Sequence, residues 1–256
     1  MKQAVILFWI IGFLGLNGDA FAQLPPIPLA TGEWAPYASQ GMEGYGVFSE
    51  IVSAAFHEAG IEPRYQFYPW KRAGEYARDG RVFAAFPYKI TDERELIYDF
   101  SEPVMMSTGR FFYLKSRFPQ GIEFQELADL TGFRIGGVLG YWYETEFEKA
   151  GLTVEYVSTD SQNFKKLFAD RIDLVACDEL VGWELINRLY PQKASQFATI
   201  EKPMNEDALR LMISRTYPDA AEITSRFNAA LKRLVAQGNV KEILAGQGLQ
   251  DYHPPE

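Results

Sequence analysis

Residues 88–103 read YKITDERELIYDFSEP, and the interpretation of the whole chain turns on them. Residues 91–94 form a Thr-x-x-Arg turn that ends in one arginine, Arg94, shortly before Asp99-Phe100-Ser101. A guanidinium is a rigid fork of donors that matches a carboxylate through two parallel hydrogen bonds, a geometry lysine cannot reproduce. The plainer alternative pairs Arg94 with Asp92, Glu93 or Glu95 on a solvated turn, and composition alone favours it.

Working outward, residues 29–37 form a strand followed by a Pro-containing loop. Residues 47–59 carry Val47, Ile51, Ala55 and Phe56 at helical spacing, with Gly60 as a stop. Residues 64–68 alternate like a strand, 70–78 read as a helix stopped by Asp79-Gly80, and 82–86 form a short apolar strand. This βαβα alternation predicts an α/β layer with a mostly parallel sheet. Downstream, 109–115 form an extended run able to leave the first domain. A short helix at 124–130, strands at 133–138, 153–157 and 172–177, and helices at 142–150, 162–169 and 179–189 follow. Residues 208–214 read as a strand returning to the first half, 220–237 as a long helix and 240–244 as a final turn. Two crossings without a flexible linker predict two lobes joined by paired strands. The boundaries fall at 23–114 plus 212–256 for one lobe and 115–211 for the other.

The N-terminus reads as a signal peptide over residues 1–22. Lys2 gives a positive start, 4–16 an apolar run, and Ala20-Phe21-Ala22 an A-x-A cleavage site with a mature start at Gln23. The alternative is a retained anchor, but the run is shorter than the ~20 apolar residues a span needs. Cys177 is the single cysteine, so no internal disulfide forms and stability rests on burial. The formal net charge of −9 argues against nucleic acid, whose phosphates require a basic footprint. His57 and His253 are the two histidines, and neither has metal-ligand spacing with a second histidine or cysteine. No nucleophile elbow, P-loop or dinucleotide fingerprint occurs.

Several short motifs then appear in order. Pro69-Trp70 stands before Gly80, TDER and YDFSEP follow, and ELADLTGFRIGG occupies 126–137. FADRIDLVACD occupies 168–178, and Gly-Asn-Val-Lys lies within 228–244. Together they resemble the polar amino acid-type solute-binding proteins of bacterial ABC transporters. The resemblance implies the two-lobed periplasmic-binding-protein fold, each lobe a mostly parallel sheet flanked by helices, with two crossing strands between them. It also implies that Arg94 holds a ligand carboxylate as a bidentate pair, with Thr91 adding a hydroxyl. Asp178 would accept from a ligand ammonium at the C-terminal edge of its sheet, where crevices of open α/β sheets lie. The alternative for Asp178 is an N-cap of the helix that follows, and for Thr91 a role within the turn. Trp70 and Tyr37 match positions where the family places rings against the ligand, Trp34 lies close enough to replace Tyr37, and core packing is the alternative for each. Arg72 is either a second ligand cation or a solvated helix charge.

Two departures from the pattern stand out. Where the family has Gly-Thr-Thr or Gly-Ser, this chain has Gly140-Tyr141-Trp142-Tyr143, and Phe83 replaces a common aspartate. Tyr141 and Trp142 either reshape the pocket or pack between lobes. The resemblance implies an exported, periplasmic, monomeric binding protein without cofactor or metal. It would capture a carboxylate-bearing solute, an amino acid or related compound, for a membrane permease, and would not be an enzyme. Two alternatives stand beside this: a periplasmic enzyme similar to cyclohexadienyl dehydratase, and a ligand-binding module for a sensory receptor.

Overall fold

The computed structural model describes residues 25–249, so the signal-peptide reading of residues 1–22 and the start at Gln23 lie outside the described residues. In chain order the first half contains β1 (Ile27–Thr31), α1 (Val47–Glu58), β2 (Pro63–Phe67), α2 (Trp70–Arg78), β3 (Ala84–Tyr88), α3 (Asp92–Glu95) and β4 (Tyr98–Phe100). Then come β5 (Met105–Leu114), β6 (Ile135–Val138), α4 (Glu144–Lys149), β7 (Val154–Val157), α5 (Asp160–Phe168), β8 (Leu174–Asp178) and α6 (Glu179–Leu189). The chain closes with β9 (Phe197–Thr199), β10 (Asn205–Ser214), α7 (Ala220–Gln237) and α8 (Asn239–Gly246).

The strands follow one order, β2-β1-β3-β10-β5-β8-β6-β7, with β4 added to β10 and β9 to β5. Pairing is parallel among β1, β2 and β3 and again among β6, β7 and β8. Between these groups run the two ten-residue strands, β5 and β10, antiparallel to each other from Met105↔Leu209 to Gly109↔Asn205. Each strand then parts from the other. β5 continues beside β8 and β9, and β10 continues beside β3 and β4. The expected two-lobed plan with two crossing strands is therefore present. Both crossing strands begin several residues before the predicted extended runs, because Met105–Gly109 and Asn205–Asp207 pair across the junction. The helix expected over 124–130 narrows to a 3₁₀ turn at Leu127–Leu130.

Burial explains the helices. α1 turns Val47, Phe48, Ile51, Val52, Ala55 and Phe56 inward, and α7 buries Ile223, Phe227, Ala230 and Leu231 at three- and four-residue spacing. Phe56 and Phe227 meet with ring centroids 4.8 Å apart, and Phe83 packs edge-on to Phe56 at 6.0 Å. Each such buried ring contributes about 1.5–3 kcal/mol relative to exposure. The phenylalanine that replaces a family aspartate is thus core. A second cluster, with Phe111, Tyr143, Phe147 and Leu174, fills the other half of the sheet.

Candidate functional site

The C-terminal ends of β3 and β8 meet the crossing strands at one place. Register puts Tyr88 opposite Arg210 and Asp178 opposite Gly109. It also puts Ser107 directly opposite Asp207, and opposed residues of an antiparallel pair project to the same face. The groups around this junction come from both halves of the sheet.

Arg94 sits on the short helix α3. Thr91 caps that helix, its hydroxyl accepting from the Arg94 N–H at 3.3 Å. The Arg94 guanidinium lies 4.9 Å from the centroid of the Tyr88 ring, and Nη1 donates to the Lys89 carbonyl at 2.8 Å. Among the described residues no acidic side chain forms an ion pair with it, so the plain reading of a pair with Asp92, Glu93 or Glu95 does not hold. Burial pulls its pKa down from the usual arginine value, with Tyr88 acting weakly the other way.

From Tyr88 a run of rings crosses the junction. Tyr88 packs edge-on to Trp70 at 5.8 Å, Trp70 to Trp34 at 6.5 Å, and Trp34 stacks on Tyr37 at 4.6 Å. The Tyr37 hydroxyl then donates to Asp178 Oδ2 at 3.1 Å. Arg94, Trp70, Trp34, Tyr37 and Asp178, all singled out in the sequence, are joined by contact.

Asp178 ends β8 and begins α6. Its Oδ1 accepts from the N–H groups of Leu180 (3.0 Å) and Val181 (3.2 Å), so the N-cap reading is correct. Its Oδ2 accepts from Ser107 Oγ at 2.7 Å as well as from Tyr37. Burial pushes its pKa up to about 6, against the pull of Ser107, Val181, the Lys89 charge and Tyr37.

Sequence reasoning passed over Tyr88, Lys89, Ser107 and Asp207. Lys89 directly follows β3 and is only 7% exposed. Its Nζ lies 3.3 Å from Asp207 Oδ2 and 4.1 Å from the centroid of the Trp142 ring. Burial lowers its pKa and Asp207 opposes that effect. Asn205 Nδ2 also donates to Asp207 Oδ2. A lysine immediately after a buried strand was the available signal for Lys89. Ser107 and Asp207 carried none, since strand register brings them together.

The remaining predicted residues divide. Trp142 reaches the junction through Lys89. Tyr141 is turned aside, its hydroxyl donating to Asp160 at 2.8 Å and its ring against Tyr143. Tyr143 belongs to the second core and accepts from the Val138 N–H at 2.9 Å. Arg72 stands exposed on α2. Among the described residues no cluster of three His, Cys, Asp or Glu side chains is placed to hold a metal ion.

The sequence profile of the bacterial extracellular solute-binding proteins, family 3, matches residues 29–246. The chain belongs to this family. No curated protein sequence matches this solute-binding protein. A histidine kinase sensor domain with similarity to periplasmic binding proteins shares its fold at a TM-score of 0.74 and 16% identity, covering 91% of this chain and 99% of that one. The GluR0 ligand-binding core of Nostoc punctiforme in complex with L-glutamate aligns at 0.71 and 19%, covering 86% and 98%. The arginine-, lysine-, histidine-binding protein ArtJ of Geobacillus stearothermophilus aligns at 0.70 and 20%, covering 91% and 97%. The fold of this solute-binding protein is the type II periplasmic-binding-protein fold. Among its described residues no helix is long and apolar enough to cross a membrane.

Proposed function

We propose that the protein is a periplasmic binding protein that captures a small carboxylate-bearing solute between two closing lobes and delivers it to an ABC-type permease. One observation carries this reading: Arg94, a half-buried guanidinium, faces the Tyr88 ring and forms no ion pair among the described residues, the Glu93 charge acting on it only weakly. A partly desolvated cation without an anion is costly unless a ligand supplies the charge. A carboxylate fits the guanidinium fork, Tyr88 offers ring surface beside it, and Trp70 and Trp34 extend that surface away from it.

We assign the lobes as the sequence reading has them, 23–114 with 212–256 and 115–211. The exchange of partners within β5 and β10 supports a hinge along those strands. Tyr37–Asp178 and Lys89–Trp142 each join elements of the two lobes, contacts that favour a closed state. A ligand that binds the closed form better shifts the population toward it.

A thermal-shift screen of amino acids, related amines and aromatic or aliphatic carboxylates tests this reading. A cognate carboxylate at a hundredfold excess over its Kd should stabilise the protein by about 2.7 kcal/mol. Mass spectrometry should recover that ligand chemically unchanged, as expected of a binding protein without turnover. Failure of every carboxylate to stabilise the protein would refute the capture function, and recovery of a converted product would point to an enzyme.

A further inference from the structure

The anionic and aromatic groups of the junction are already supplied with partners from within the chain. An ionised carboxylate offers about four lone-pair positions. Asp178 receives four donors: two main-chain N–H groups of α6, the Ser107 hydroxyl and the Tyr37 hydroxyl. Asp207 takes the Lys89 ammonium and the Asn205 amide. The face of Trp142, which would hold a cation well, is covered by the same ammonium at 4.1 Å. Glu146, an exposed residue of α4, and Asp178 add weaker attraction for the Lys89 charge.

Lys89 is also tied to the arginine. Its carbonyl accepts from Arg94 Nη1, so the main chain that carries the ammonium also fixes the guanidinium. The Lys89 ammonium acts on Asp178, the carboxylate that an ammonium of the ligand would seek. A ligand amino group directed at Asp178 would meet this like charge, and that carboxylate already holds four donors. Such an ammonium would be desolvated without a partner, which disfavours it strongly.

We propose that Lys89 determines specificity by satisfying the site's acidic and aromatic groups from within, so that the site takes small carboxylates carrying no amino group. This rests on the carboxylate reading above and narrows it to a chemical class. Simple, 2-hydroxy and 2-oxo acids belong to that class, and zwitterionic amino acids do not.

Matched pairs that differ only in the amino group test the idea: 3-phenylpropionate against phenylalanine, and glutarate against glutamate, by titration calorimetry. Wild type should bind at least one deaminated acid at least tenfold more tightly than its amino acid. Lys89→Met, which keeps the length and loses the charge, should narrow that ratio at least tenfold, and Lys89→Arg, which keeps a cation, should preserve the direction. Circular dichroism confirms that each variant is folded. Tighter binding of an amino acid than of its deaminated partner would overturn the proposal while leaving carboxylate capture intact. An unchanged ratio in a folded Lys89→Met protein would also overturn it. No binding of any of the four probes would count against both, and the broader carboxylate screen then shows whether capture itself survives.

Discussion

The Tyr37 hydroxyl donates to Asp178 Oδ2 at 3.1 Å, joining two residues 141 positions apart and from opposite halves of the sheet. The carboxylate it reaches is buried, and burial raises its pKa from the ordinary 3.8 to about 6. A carboxyl whose folded pKa lies above its unfolded value favours folding most below the unfolded value. That contribution is lost as pH rises through about 6. At neutral pH the charged Asp178 therefore costs stability, on the order of 3 kcal/mol. Asn at this position keeps the N-cap and has no charge to bury. Asp178→Asn should exceed wild type in urea stability at pH 7.5 by about 1–3 kcal/mol, with the difference shrinking toward pH 4. A difference that does not vary with pH would remove Asp178 as the titrating group.

Arg94 invites the opposite expectation, a large effect on binding and a small one on folding. It gives one hydrogen bond to the Lys89 carbonyl and lies over Tyr88, with no ion pair among the described residues. Arg94→Ala should change unfolding free energy by no more than about 1 kcal/mol, the worth of a typical hydrogen bond. The same change should weaken the tightest ligand from the carboxylate screen by about 2–5 kcal/mol, as when one partner of a buried charge pair is lost. Arg94→Lys should recover only part of that affinity, because a point charge replaces a planar fork. Calorimetry beside urea unfolding separates the two effects, and undiminished affinity in Arg94→Ala would reject the clamp.

The contrast between Arg94 and its neighbours shows what could be read from the chain and why. Helices α2, α6 and α7 were legible to the residue, α2 by its stop at Asp79-Gly80. Strand β9 was not, since Phe197-Ala198-Thr199 exists as a strand only through its pairing with β5. The early parts of β5 and β10 were hidden for a related reason. Ser107, Thr108, Asn205, Glu206 and Asp207 are polar and lack the apolar alternation of a strand, though they pair across the junction of the two halves. Arg94 and Asp178 lay in recognisable motifs, and Lys89 stood inside the most informative stretch of the sequence. Its role depends on Asp207 and Trp142, more than fifty residues away, and it is the pairing of β3 with β10, and of β6 with β8 beside β5, that brings those partners in.

Gly182 tests the packing that aims α6 and its capping Asp178. A Cβ there would stand 2.2 Å and 2.5 Å from two Phe112 ring atoms. Phe112 is itself fixed edge-on by Phe164 and Trp183. Helix propensity favours alanine by about 1 kcal/mol, whereas overpacking a core costs about 1–3. Gly182→Ala should lose stability despite the better helix former, and adding Phe112→Leu should return part of the loss. A Gly182→Ala protein more stable than wild type would mean that the ring yields freely.

Gly32 makes the corresponding test at the ligand side. It follows β1 directly, and a Cβ there would lie 2.7–2.9 Å from three atoms of the Trp70 indole. The ring has Trp34 and Tyr88 at its edges but is only half-buried, whereas Phe112 is fully buried, so a shift of the indole costs less. Gly32→Ala should therefore fold with a loss of less than about 1 kcal/mol, well below a core overpacking. It should nonetheless shift tryptophan emission and weaken the ligand found by screening by at least tenfold, because the ring surface that extends from Tyr88 has moved. Trp70→Phe in the same background removes the crowded atoms of the indole. If the displaced ring is the cause, Gly32→Ala should cost much less affinity in the Trp70→Phe protein than in wild type. An equal loss in both backgrounds would place the effect in the β1 backbone and take Trp70 out of the ligand site.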